Sequence, residues 1–84
     1  MDLTDLPNIG PVLADDLRAA GIETPEALRK TGAETAWLQI RLGPDPGACL
    51  HRLQALAGAA AGIPKRDLPP ERKTELKKFF ESHK

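Results

Sequence analysis

Cys49 and His51 pair a nucleophile with a base, but two positions apart on a helix they point about 200° from one another and cannot act together. Asp15 and Asp16 diverge by about 100° for the same reason, which does not make an acid–base dyad. His51, His83 and the single cysteine fall at no zinc-ligand spacing, and no glycine-rich loop carries a lysine for phosphate transfer. The expectation is a chain with no catalytic residue, no metal, no cofactor and no small-molecule substrate.

A different kind of chemistry is available at Leu6-Pro7-Asn8-Ile9-Gly10-Pro11-Val12-Leu13-Ala14. Pro7, Asn8 and Gly10 are turn residues, and Pro11 suits the first position of a helix. A turn that runs straight into a helix start exposes backbone N–H groups at the positive end of the helix dipole, where anions are favoured. Gly10, Pro11 and Val12 are therefore candidate contacts to a nucleic-acid phosphate. The surrounding charge opposes this: residues 1–28 hold one base, Arg18, against the six acids Asp2, Asp5, Asp15, Asp16, Glu23 and Glu26. Non-specific affinity for duplex DNA comes mainly from basic side chains that displace counterions. On charge alone, the turn reads as an organiser of the fold more readily than as a phosphate clamp.

Overall net charge is zero, so the rest of the chain is correspondingly basic. Lys65, Arg66, Arg72, Lys73, Lys77, Lys78 and Lys84 gather near the C-terminus. Arg66, Lys73, Lys77 and Lys78 form the second candidate set for a DNA backbone, with Arg66, Lys73 and Lys77 able to share one face. Interleaved Glu71, Glu75 and Glu81 allow the plainer reading of a solvated mixed-charge helix. The acidic N-terminal surface, with Asp15 and Asp16, is a candidate site for a basic protein partner. Trp37, the only tryptophan, is either core or a partner anchor.

These residues must be positioned by helices, because alanine and leucine are abundant while aromatic and β-branched residues are few. Pro11–Ala20 should form a first helix with an apolar face of Val12, Leu13 and Leu17, closed by Gly21. Thr24-Pro25 reads as cap and first residue of a second helix stopped by Gly32. A third spans about Ala33–Leu42, its apolar members Trp37, Leu38, Ile40 and Leu42. Asp45-Pro46 looks like the start of a fourth, which carries Cys49, Leu50, Leu53, Leu56, Ala57 and Ala60 down to Gly62. Pro69-Pro70 opens a fifth, docked by Leu76, Phe79 and Phe80. Gly58 and Gly62 are spaced to admit a close helix neighbour, usually within the chain and less often across a weak homodimer. The fold class expected is all-α: about five short helices in one domain over residues 1–84.

No secretory signal follows Met1, and the longest apolar run, Ala55–Ile63, is far below the roughly 20 residues of a membrane span. A lone cysteine among apolar residues behaves as a small hydrophobe, so the cytoplasm is the expected compartment.

Leu6-Pro7-Asn8-Ile9-Gly10-Pro11, Leu13-Ala14, Leu17, Ala20-Gly21-Ile22, Thr24-Pro25 and Leu28 resemble a helix-hairpin-helix element with its Gly-Ile-x-Thr continuation. Further along, Gly32-Ala33-Glu34, Cys49-Leu50, Leu53, Ala55-Leu56, Gly58-Ala59, Gly62-Ile63, Asp67-Leu68-Pro69, Glu71-Arg72-Lys73 and Glu75-Leu76 extend the resemblance. Taken together they resemble the C-terminal domain of the TfoX/Sxy family of bacterial competence regulators. That resemblance implies a compact helical regulatory module, associated with DNA-uptake genes and usually carried behind a separate N-terminal domain. Asn8 stands where DNA-binding hairpins carry their first glycine, and Lys65 where family members often have an aromatic. Two mechanisms follow for a monomer or weak homodimer. One is weak, sequence-nonspecific binding of double-stranded DNA; the other is a protein-interaction adaptor for a cytosolic partner, with no nucleic-acid contact.

Overall fold

A computed structural model describes residues 1–83. A 3-10 turn at Leu3–Asp5 leads through the Leu6–Gly10 turn into α1 (Pro11–Ala19), followed by α2 (Pro25–Thr31), α3 (Ala33–Arg41), α4 (Leu50–Ala61) and α5 (Pro70–Ser82). A second 3-10 turn, Lys65–Asp67, joins the last two helices. The fold is all-α. No described helix is long and apolar enough to cross a membrane.

Local chemistry accounts for most helix ends. Thr24 caps α2 by accepting from the Ala27 N–H at 3.0 Å, with Pro25 in the first turn. Gly62 closes α4 in the left-handed conformation (φ 75°), and the Ile63 N–H reaches back to the Gly58 carbonyl at 2.9 Å. One boundary departs from the sequence pattern. The helix expected to begin at Pro46 begins at Leu50, because Asp45 does not cap it: Asp45–Ala48 forms a turn of its own, closed by the Ala48 N–H on the Asp45 carbonyl at 3.1 Å. Cys49 is then the extended residue before the helix and is exposed, not among the apolar residues where it was expected.

Helix α4 is the centre of the molecule, packed against α2, α3, α5 and the second 3-10 turn. Leu53, Leu56 and Ala59 are fully buried there, with Leu13, Ala14 and Leu17 of α1, Leu28 of α2 and Ile40 of α3 completing one contiguous core. Two apolar residues placed on the inner faces by spacing lie outside: Val12 is 65% exposed and Leu42 87%. Val12, the second residue of α1, lies about 140° around the helix from the buried Leu17, and Leu42 follows the last residue of α3. Trp37 is fully buried, its ring edge-on to Phe79 at 6.0 Å and Phe80 at 5.8 Å, and its Nε1 donates to the Cys49 carbonyl at 3.2 Å. It therefore leaves the set of candidate partner contacts, since no surface of it remains to meet a partner.

Arg72 fastens α5 to α3 through a two-pronged pair with Glu34, at 2.6 and 2.8 Å. The guanidinium holds the Glu34 carboxyl below its ordinary value of 4.5. A folded-state value below the unfolded one means that the stabilisation is complete above about pH 4.5 and is lost as pH falls through the folded value. Glu34→Gln is expected to cost about 1 kcal/mol at neutral pH and to flatten the fall in stability on acidification. Urea midpoints at neutral and acid pH measure both; a variant as acid-sensitive as the parent would show that the pair carries none of that dependence.

Candidate nucleic-acid interface

The Leu6–Gly10 turn owes its shape to Asn8, a non-glycine residue with φ 71°. Asparagine tolerates this conformation better than most residues, and here its side chain is also bonded at both ends. Its Nδ2 donates to the Ile63 carbonyl at 3.0 Å and to that of Ala55 at 3.4 Å, while its Oδ1 accepts from the Lys65 N–H at 3.1 Å. Gly58 makes room for this junction. A Cβ there would meet Asn8 Nδ2 at 2.5 Å, the Ile63 carbonyl at 2.8 Å and Lys65 Cα at 3.2 Å. The small-residue spacing of Gly58 thus serves an approach within the chain.

Gly10 precedes α1 in extended conformation, and the first intrahelical bond runs from the Ala14 N–H to the Gly10 carbonyl at 3.0 Å. Pro11 has no N–H, so it contributes shape and not a phosphate bond. The amides open at the helix start are those of Val12 and Leu13. Val12 and Leu13 line a shallow depression of about 340 Å³ together with Asn8, Gly10, Pro11, Ala55 and three basic or titratable residues, His51, Arg52 and Lys65.

Four of the six N-terminal acids pair with arginines, Glu26 with Arg29 at 3.8 Å. Arg18 pairs with Asp2 at 2.9 Å and Asp15 at 3.1 Å; Arg52 reaches Asp16 at 2.6 Å and Asp45 at 3.6 Å. Bonds from the Thr4 hydroxyl and backbone and from Arg18 lower the Asp2 carboxyl to about 2. Asp16 is consequently only 19% exposed at its side chain, whereas Asp15 keeps 78%. Of the two acidic candidates for a partner surface, only Asp15 remains largely exposed, even with its bond to Arg18.

The lysines behave oppositely. Among the described residues every ion pair is made by an arginine, and Lys65, Arg66, Lys73, Lys77 and Lys78 make none. Lys73 bonds through Nζ to the Arg66 carbonyl at 3.2 Å, which draws α5 against the second 3-10 turn. Lys77 follows one turn along the same side of α5. Lys78 lies about 140° around the helix from Lys73 and belongs to the other flank, beside Glu71 and Glu75. Lys84 lies outside the described residues. The ridge is therefore Lys65, Arg66, Lys73 and Lys77, and Lys65 joins it to the depression at the start of α1.

Sequence spacing did not connect Lys65 with the turn or Arg52 with α1, because bonds spanning 57 and 36 residues leave no periodic trace. The one available signal was Asn8 itself, whose amide in a tight turn needs partners somewhere. Among the described residues no three His, Cys, Asp or Glu side chains gather as a metal set.

Two solved structures share this fold over nearly the whole chain. One, an uncharacterized protein from Listeria monocytogenes in a triclinic form, aligns with TM-score 0.96 and 44% identity, covering 99% of this chain and 93% of that one. Another, a protein of unknown function from Listeria monocytogenes in a tetragonal form, aligns with TM-score 0.95 and 44% identity, covering 99% and 100%. No curated protein matches the chain. The TfoX C-terminal domain model matches residues 1–80, from the 3-10 turn before Asn8 to Phe80 against Trp37, and the chain belongs to that family.

Proposed function

We propose that this chain is a non-enzymatic regulatory module of the TfoX type that binds the backbone of double-stranded DNA weakly and without reading sequence. On this reading it takes part in the control of competence genes in the cytoplasm. The supporting observation is that Lys65 lines the same depression as Gly10, Val12 and Leu13, so that a basic ridge begins where the open amides of α1 lie. Phosphates can bridge the two, with Arg66, Lys73 and Lys77 following the strand and supplying charge without base readout.

The adaptor reading keeps less of its surface. Asp16 is taken by Arg52 and Trp37 is in the core, which leaves Asp15 alone of its three contacts.

Fluorescence anisotropy with a labelled duplex tests the DNA reading. Dissociation constants in the range of about 1–100 μM are expected near 50 mM salt, weakening about 100-fold by roughly 200 mM if some four phosphates are neutralised. Lys65→Ala/Arg66→Ala should reduce the slope of log affinity against log salt by about 2. Absence of binding at about 50 mM salt with near-millimolar protein would sink the proposal.

A further inference from the structure

The asparagine that replaces the usual first glycine of a DNA-binding hairpin is bonded to distant backbone on both sides of its amide. A turn residue needed only for its conformation has no use for this. Glycine would adopt φ 71° at no steric cost, and would leave Ile63–Lys65 without its side-chain tether to the turn. With asparagine present, the Lys65 N–H is held at 3.1 Å by Oδ1, and the preceding Ile63 carbonyl is held at 3.0 Å by Nδ2. Gly58 supports the same arrangement, because any side chain there would push Asn8 and Lys65 apart. Lys65 is the residue by which the basic ridge enters the depression beside Val12 and Leu13.

We infer that Asn8 is a positioning residue for DNA binding: its amide holds the Lys65 backbone against the Leu6–Gly10 turn, so that Lys65 and the start of α1 meet the phosphate backbone as one surface. The inference rests on the duplex-binding reading above. The contribution of Asn8 is to fix the Lys65 backbone beside the turn, so that part of the entropic cost of placing the side chain is met by the fold before DNA arrives.

The experiment compares the full chain with Asn8→Gly, Lys65→Ala and the double variant, measuring duplex affinity across salt concentrations on protein shown to be folded by circular dichroism. Asn8→Gly should lower affinity about fivefold near 50 mM salt and reduce the salt slope by about 1, and Lys65→Ala should do the same. Adding Asn8→Gly to Lys65→Ala should then change neither quantity, since the residue it positions is already gone. A purely structural asparagine would lower thermal stability and leave the salt slope of the folded protein unchanged. That outcome, or losses that multiply in the double variant, overturns the inference while leaving duplex binding intact.

Should Asn8→Gly fail to fold, an NMR titration of the unaltered chain with duplex decides. The Asn8 side-chain amide and the Lys65 backbone amide are expected to shift on the same binding curve as Val12 and Leu13. Shifts at Val12 and Leu13 without Asn8 and Lys65 overturn the positioning role. No shift at any of the four overturns the duplex reading and this inference with it.

Discussion

Trp37→Ala is expected to remove a large share of the domain's stability at 25 °C. Emptying a fully buried tryptophan site costs about 3–5 kcal/mol. A domain of this length has a total stability of roughly 4–13 kcal/mol. The site cannot collapse readily, because Trp37 is where three helices meet: α3 supplies the ring, α5 brings Phe79 and Phe80 edge-on to it, and the carbonyl before α4 takes its Nε1 hydrogen. Arg41 also stacks over the indole at 5.1 Å and loses that contact. Urea denaturation followed by circular dichroism measures the loss. Trp37→Phe separates its parts, keeping most of the ring contact while removing the bond to the Cys49 carbonyl, for an expected cost of about 1–2 kcal/mol. A loss below about 1 kcal/mol for the alanine variant would contradict the packing described.

Gly58→Ala offers a test of sign. Helix propensity alone says that replacing a glycine within α4 by alanine should stabilise the protein by about 1 kcal/mol. The junction says the reverse. A methyl at position 58 would lie 2.5 Å from Asn8 Nδ2 and 2.8 Å from the Ile63 carbonyl, and neither neighbour is free to withdraw. Nδ2 is bonded to that same carbonyl at 3.0 Å, and the Ile63 N–H is bonded to the Gly58 carbonyl at 2.9 Å. Relief requires the Leu6–Gly10 turn to lift from α4, breaking the Asn8 bonds. Destabilisation of about 2–3 kcal/mol is expected, the sum of overpacking and lost hydrogen bonds less the propensity gain. A urea midpoint above that of the parent would mean that the turn and α4 do not approach as closely as described.

The two predictions mark where sequence reasoning succeeds and where it stops. Helix identities were legible because their signals are local. Thr24-Pro25 and Gly62 act on their own backbones within one turn, and the apolar stripes of α1 and α4 repeat at helical spacing. The start of α4 was misplaced by the same local logic. Asp45-Pro46 has the composition of a cap, but its backbone closes a separate turn and its carboxylate is drawn 3.6 Å from Arg52 of α4. Val12 and Leu42 failed differently: Val12 lies about 140° around the helix from Leu17, and Leu42 falls just past the end of α3.

For the candidate interface, the chain alone determined the ingredients: a turn running into a helix start, an asparagine at its bend, an acidic first third and a basic remainder. Those follow from residue type and near-neighbour spacing, which folding does not alter. Tertiary structure decided how the charges are used. It paired Asp2 and Asp15 with Arg18 and Asp16 with Arg52 from another helix, and it brought the Lys65 backbone to the turn before α1 through the Asn8 side chain. Electrostatic and hydrogen-bonding energies depend on separation in space, and separation along the chain does not predict it. A segment that reads as strongly acidic in sequence is, once folded, the one to which the Lys65 backbone is bonded.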